Sequence, residues 1–141
     1  MSNFVTKSNS DIRVTTIFME VVEKKSALIT CSEKIRAIHD TMDVLSGKWK
    51  VSIIACLCYQ SMRYSEILRE VEGISGKMLS RELKDLEMNN LIHRKVLDTK
   101  PVSVSYEISD YGRSLKELTN VIADWGINHR CLLYTSDAAD E

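Results

Sequence analysis

The stretch from residue 74 to residue 94 alternates apolar and charged positions with the period of an α-helix. Three leucines recur at i, i+4 and i+7 and form one apolar stripe: Leu79, Leu83 and Leu86. Three cations repeat this spacing two residues earlier, about 200° around the helix at roughly 100° per residue: Lys77, Arg81 and Lys84. Ser75 is suited to cap the helix, and Asn89-Asn90 to end it. The pattern predicts a helix over 75–88 with one face for a core and a cationic face opposite.

Similar spacings predict helices before and after this one. An amphipathic helix is expected over 32–46, and a helix over 49–59 that is apolar on nearly all sides is typical of a central core element. A turn at 60–62 leads into a short helix over 64–71, and a tight turn joins that helix to 75–88. A short helix, a tight turn and a second helix form a helix-turn-helix. The last helix is expected from the cap Ser109 onward, with these residues along one side: Leu115, Leu118, Ile122 and Trp125.

The apolar period changes to two after residue 91, which predicts strands. The alternating apolar positions are Ile92, Val96, Val102, Val104, Tyr106 and Ile108. Residues 98–101 lie between the two strands and hold the only proline of the chain, as a hairpin tip would. Two strands and a loop directly after a recognition helix form a wing. The predicted fold class is therefore α+β, mainly α: a winged helix-turn-helix.

Composition and charge narrow the class of protein. A chain of 141 residues is one domain by length, and no apolar run approaches the roughly 20 residues of a membrane span. The N-terminus lacks a secretory pattern, so a cytoplasmic protein without membrane association is expected. The net charge of −1 argues against a simple basic DNA-binding domain. Residues 74–100, however, hold six basic against four acidic residues, so any DNA affinity must come from a concentrated face.

The candidate chemistry is sparse. Cys56 and Cys58 lie two positions apart on a predicted helix and point to nearly opposite sides, which suits buried inert thiols better than a disulfide or a shared metal. The three histidines show no zinc spacing. The sequence has no glycine-rich phosphate loop, nucleophile motif or spaced acid pair, so no enzymatic activity, metal or cofactor is expected.

Both ends are expected to lie outside the domain, which is placed at 31–130. Residues 131–141 resemble the translation of a sequencing adaptor, so we expect an unstructured, dispensable and non-native tail, with the natural chain continuing past Arg130. Residues 1–30 are expected to form a partly disordered N-terminal arm, and Met19 is an alternative translation start.

Several short motifs follow one another in the chain: Gly47-Lys48-Trp49, Arg63-Tyr64-Ser65-Glu66-Ile67, Gly73-Ile74-Ser75, Lys77-Met78-Leu79, Ser105-Tyr106-Glu107-Ile108-Ser109 and Gly112-Arg113-Ser114-Leu115. In this order they resemble the HxlR-type bacterial transcription regulators, winged helix-turn-helix proteins related to the MarR group. The resemblance covers roughly residues 37–126. It implies a homodimer, paired largely through flanking N- and C-terminal helices, that binds a palindromic operator in double-stranded DNA through helix 75–88 and the wing.

One departure from the family pattern concerns sensing. Many members carry a Cys-Pro pair where this chain has Arg36-Ala37, and the cysteine is the redox sensor in some of them. Cys31 is the nearest thiol and precedes a predicted helix N-terminus. Cys31 is therefore a candidate redox residue outside the sensing position, and an unidentified small molecule or a redox change is a candidate signal.

With the resemblance, the cationic face and the wing become the candidate DNA-binding site. Its residues are Ser75, Lys77, Met78, Ser80, Arg81 and Lys84 on the helix, and Arg94, Lys95 and Lys100 on the wing. For Ser75 two roles are expected, capping the helix or contacting DNA. For Tyr64 the two expected roles are packing within the protein and contacting a DNA phosphate. Trp49 and Trp125 are expected in the core or at a dimer interface. Two alternatives stay open: a merely solvated charged face, and a winged-helix protein-interaction module without DNA binding.

Overall fold

The computed structural model describes Glu20 and residues 29–138, so most of the predicted N-terminal arm and residues 139–141 lie outside it. The chain divides between Asp43 and Val44 into two units. The helices are α1 Cys31–Val44, α2 Lys50–Tyr59, α3 Tyr64–Glu70, α4 Gly76–Met88, α5 Asp110–Arg113 and α6 Lys116–Ala138. The strands are β1 Met62–Arg63, β2 Ile92–Leu97 and β3 Ser103–Ile108. Among these helices, none combines the length and the apolar character that crossing a membrane requires.

Helix α1 confirms the predicted amphipathic helix and keeps its apolar side open. It begins after Thr30, whose backbone N–H and hydroxyl both donate to Oε2 of Glu33 at 2.8 Å, while the Glu33 N–H points back to the Thr30 hydroxyl. This reciprocal arrangement is a capping box, which satisfies N–H groups that the first turn leaves free. No side chain of α1 is buried by the part of the chain that the structure describes. The apolar positions Ile35, Ile38 and Met42 are each about half exposed.

The core of the second unit lies around α2. The central helix predicted over 49–59 is confirmed, with Trp49 as its N-cap. Side chains from three helices, the α4–β2 turn and the sheet are almost completely buried with it: Ile53, Ile54, Leu57, Ile67, Leu79, Leu83, Leu86, Leu91 and Ile92. The buried residues of α4 are the predicted leucine stripe and Glu82. The short helix α3, the turn at 71–75 and α4 form the predicted helix-turn-helix.

The sheet is antiparallel with the order β1-β3-β2. Ile92 lies opposite Ile108 and Leu97 opposite Ser103, so β2 and β3 form the predicted hairpin. Val96 and Val102 are exposed at its far end, which protrudes as a wing. Strand β1 pairs Met62 with Tyr106. The sequence predicted a turn there, because two residues are too few to show the alternation of a strand.

The C-terminal region differs from the prediction in two ways. A single helix from Ser109 was wrong: the N–H groups of Ser114 and Leu115 bond three residues back, to Tyr111 and Gly112, and close α5 as a short separate helix. Gly112 also approaches the Leu91 carbonyl so closely that an added Cβ would lie 2.1 Å from its oxygen. An unstructured tail was wrong for residues 131–138, because α6 continues to Ala138 through a segment without glycine or proline. Whether those residues are native stays a prediction, as do the domain limits.

Candidate nucleic-acid interface

Helix α4 exposes its cationic face and buries its leucine face. Lys77, Arg81 and Lys84 are all exposed, as their spacing predicted. The Ser75 Oγ accepts a hydrogen bond from the Met78 N–H at 3.2 Å, so Ser75 caps the helix while remaining exposed itself. Met78 is half-buried against the core. The arrangement places three cations on one solvent-facing surface, which we call the cationic face.

Two of the acidic residues of α4 turn away from the cationic face. Glu82 is buried, and its Oε2 lies 3.5 Å from the Lys50 Nζ of α2. The Asp85 Oδ2 lies 3.4 Å from the same ammonium. Glu87 is the acidic residue of α4 that stays exposed. The Asp85 side chain is 42% exposed, but Lys50 compensates its charge as well as that of buried Glu82, so the exposed cations of α4 outnumber its uncompensated acids.

Helix α3 holds the first turn of α4 through a hydroxyl. The Tyr64 Oη donates to the Gly76 carbonyl at 2.7 Å and lies 3.0 Å from the Ser80 Oγ. The single phenolic proton is used on Gly76, so the Ser80 hydroxyl is the donor of the second bond. Gly76 has no side chain in the way, whereas an added Cβ would lie 3.3 Å from this hydroxyl. Of the two expectations for Tyr64, the structure has the hydroxyl bonded within the chain.

The wing separates its two neighbouring cations. Successive residues of a strand point to opposite faces. Arg94 shares its face with the buried Ile92 and lies opposite Tyr106, so it is on the side of the sheet that packs on the core and α4. Lys95 is on the other face, where its Nζ lies 2.7 Å from the Glu107 carboxylate. Lys100 is exposed in the loop between the strands. Arg94 therefore shares a side with α4, while the charge of Lys95 is balanced on the opposite side.

A polar cleft of about 440 Å³ lies beside this opposite face. Its lining includes Cys58, His93, Glu107, Asp110 and Arg113. The cleft offers hydrogen-bonding groups and charges of both signs. It is lined by none of the predicted DNA-binding residues.

The thiols occupy different environments. Cys58 is buried and Cys56 half-buried, and burial raises the pKa of both thiols, which favours the unreactive protonated form. Cys31 and Cys131 are exposed, and all four cysteines are free. Within the described part of the chain, no three His, Cys, Asp or Glu side chains come together as a metal site would require.

Sequence reasoning missed Lys50, the hydrogen bonds of the Tyr64 hydroxyl to Gly76 and Ser80, and the separation of Arg94 from Lys95. A signal for Lys50 was present, since it is the one charged residue in the otherwise apolar and polar-neutral stretch 49–59. A lone charge at a core position indicates a buried partner. Nothing in the sequence named that partner, because Glu82 and Asp85 lie more than thirty residues away.

Comparison with known proteins gives one consistent family. A model of the HxlR-like helix-turn-helix family matches residues 44–132. The HTH-type transcriptional regulator YdzF of Bacillus subtilis (strain 168) is 40% identical over 98 residues, covering 69% of this chain and 90% of YdzF. YtcD of the same organism, also an HTH-type transcriptional regulator, is 39% identical over 93 residues, covering 66% of this chain and 74% of YtcD.

Solved structures agree with the sequence comparison. The crystal structure of YtcD superimposes with a TM-score of 0.62, covering 65% of this chain and 94% of that one. The redox regulator HypR in its reduced form superimposes with a TM-score of 0.64 at 29% identity, covering 70% of this chain and 98% of HypR. These similarities confirm the winged helix-turn-helix fold.

Proposed function

This chain belongs to the HxlR-like helix-turn-helix family of transcriptional regulators, and we propose that it acts as a homodimer that binds a palindromic operator in double-stranded DNA. The observation that carries the proposal is the cationic face of α4, which is exposed while Glu82 and Asp85 are compensated by Lys50. A helix with one buried and one cationic face suits the major groove, which is lined by phosphates and base-edge acceptors.

The residues divide into two roles. On α4, Arg81 is proposed to read a guanine edge, with Lys77 and Lys84 on bases or phosphates. Three smaller contacts come from residues near the same turn: Ser75, Met78 and Ser80. On the wing, Arg94 and Lys100 are proposed to contact the phosphate backbone or minor groove, which adds affinity more than sequence preference. Lys95 is expected to contribute less than Arg94, because the Glu107 carboxylate already neutralises it.

The homodimer is supported by apolar surface that a single chain leaves uncovered. On α6, Leu118, Ile122 and Trp125 recur at i, i+4 and i+7, and all three are exposed. The apolar side of α1, formed by Ile35, Ile38 and Met42, is also exposed. A second copy would cover such stripes by helix packing. The two α4 helices would then enter half-sites about one helical turn, roughly 34 Å, apart or a multiple of it.

Cys31 is proposed to be oxidisable without being a tuned redox switch. Its thiol is exposed and free, but it lies five residues before the position that carries the sensing cysteine in the resemblance. With a mild oxidant present, wild type and Cys31→Ser should therefore show the same operator affinity. Release of wild type alone by the oxidant would identify a thiol switch.

The test of DNA binding compares Arg81→Ala with Lys100→Ala. Arg81→Ala should cost roughly 1–3 kcal/mol on the operator and flatten the preference between sequences. Lys100→Ala should weaken binding to all sequences alike and lower the salt slope by about one. Fluorescence anisotropy at several salt concentrations, with operator and scrambled duplexes, separates these effects.

Arg113→Ala is the matched control, since it removes an exposed arginine that lines the polar cleft and not the cationic face. Its affinity should stay close to that of wild type. If Arg81→Ala and Lys100→Ala also bind like wild type, the cationic face is only a solvated surface and the interaction-module alternative is favoured.

A further inference from the structure

Lys50 occupies an unusual position for a lysine. It is the first residue of α2 and is 7% exposed, in a helix whose other buried residues are Ile53, Ile54, Leu57 and Cys58. The first turn of α2 contains no acidic residue. A cation at a helix N-terminus opposes the helix dipole, and burial removes its hydration. Local structure therefore disfavours Lys50, so its stabilisation must come from other elements.

The compensating groups come mainly from α4. The Lys50 Nζ lies 3.5 Å from Oε2 of Glu82 and 3.4 Å from Oδ2 of Asp85. A third, weaker contact is the Ser46 Oγ at 3.5 Å. Within the described residues, Oε2 of Glu82 has no hydrogen-bond partner, so the ammonium is what balances its buried charge. Removing one partner of such a buried pair leaves an uncompensated charge.

The positions of these acids tie them to the cationic face. Arg81 immediately precedes Glu82, and Lys84 immediately precedes Asp85. Neighbouring residues lie about 100° apart around a helix, so a roll of α4 about its axis moves the acids and the cations together. A contact that holds the acids against α2 therefore sets the direction in which the cations point.

We propose that Lys50 is a positioning residue for DNA recognition, holding Glu82 and Asp85 toward α2 and thereby orienting Lys77, Arg81 and Lys84. The inference rests on the proposed DNA binding and goes beyond it. It assigns a recognition role to a buried side chain of a different helix, which touches no DNA. Its consequence is that Lys50 governs preference between sequences while leaving general attraction to DNA unchanged.

The experiment uses the full chain and a duplex enriched by wild-type protein from a random-sequence library, with a shuffled duplex of the same composition. Lys50→Met is compared with Lys48→Met, which removes a neighbouring exposed lysine and so matches the loss of charge. Binding is measured at a temperature where circular dichroism shows every variant to be folded. Lys50→Met should lower the ratio of enriched to shuffled affinity by about tenfold, comparable to one lost base contact. Its affinity for the shuffled duplex should match that of Lys48→Met.

A compensated variant separates positioning from simple instability. Lys50→Met combined with Glu82→Gln and Asp85→Asn removes all three charges and should regain thermal stability relative to Lys50→Met alone. The proposal expects the enriched-to-shuffled ratio to stay below that of wild type, because the contact that orients α4 is still missing.

Three results would overturn the proposal that Lys50 orients α4. A folded Lys50→Met with the wild-type ratio, or a compensated variant that fully recovers that ratio, would leave Lys50 without a positioning role. If the wild-type protein enriches no duplex at all, the proposed DNA binding fails as well, and the two failures are thereby distinguished.

Discussion

Helices α4 and α6 carry the same spacing of apolar side chains and bury them very differently. On α4, Leu79, Leu83 and Leu86 are at most 1% exposed. On α6, the residues at i, i+4 and i+7 are Leu118, Ile122 and Trp125, with exposures of 37%, 45% and 67%. An identical pattern in the sequence thus corresponds to a finished core on one helix and an open surface on the other.

The difference lies in what surrounds each helix. The leucine stripe of α4 packs against α2 and β2 and belongs to the buried core cluster. Helix α6 packs on α2 near its beginning, where Thr119 is buried and Leu115 half-buried, and its later turns are exposed. An apolar period therefore predicts that a helix forms, but it does not predict which element covers the apolar side of that helix. For α6 the proposed partner is a second copy of the chain.

The largest expected effect is the loss of a leucine from the finished core. Leu83→Ala should lower the free energy of unfolding by about 2–5 kcal/mol, because the buried site leaves a cavity. Urea denaturation measures this directly. Leu118→Ala removes the same atoms from α6 and should cost less than about 1 kcal/mol in protein dilute enough to be monomeric. If both substitutions lowered the free energy of unfolding equally, α4 and α6 would not differ in how deeply their apolar sides are buried.

An intermediate effect is expected when the open surface of α6 receives a charge. Ile122→Glu should raise the dimer dissociation constant by at least about tenfold, because each copy would have to bury a carboxylate where an isoleucine packed. Sedimentation velocity across a concentration series reports the change, while circular dichroism should show an unchanged helix content.

The matched control for that substitution is Ala123→Glu, which adds the same carboxylate to the next exposed residue, about 100° around the helix. It should leave the dimer intact. A dimer that survives Ile122→Glu would show that the apolar stripe of α6 is not the subunit contact.

The smallest effect is expected from the end of α6. Removing residues 131–141 should leave the melting temperature within experimental error, because residues 131–136 are all exposed and the core does not include them. Differential scanning calorimetry of the two chain lengths is sufficient. A clear drop in the melting temperature would mean that the last turns are part of the fold and would contradict a dispensable tail.

Prediction from sequence was most accurate where structure depends on neighbouring residues. The start of α4 was predicted because the Ser75 hydroxyl bonds the N–H of a residue only three positions away. The end of α4 was predictable from Asn89-Asn90, because asparagine tolerates a positive φ better than most residues, and Asn90 indeed has a φ of 58°. The two faces of α4 and the hairpin likewise follow from periods of 3.6 and 2.

Prediction failed where the deciding contact joins residues that are far apart in the sequence. Strand β1 is defined by pairing with β3, more than forty residues later. The break between α5 and α6 coincides with the close approach of Gly112 to the Leu91 carbonyl, which no helical period reports.

By itself, the sequence determined the positions of helices α1 to α4 and of the β2–β3 hairpin, and which side of α4 is apolar, since caps and periodicity act within a few residues. Tertiary structure alone decided which charges remain available on the surface. Glu82 and Asp85 meet Lys50, Lys95 meets Glu107, and the cationic face is left exposed. The physical reason is that a charge is balanced by whatever lies within a few ångströms of it in space, and sequence distance says nothing about that neighbour.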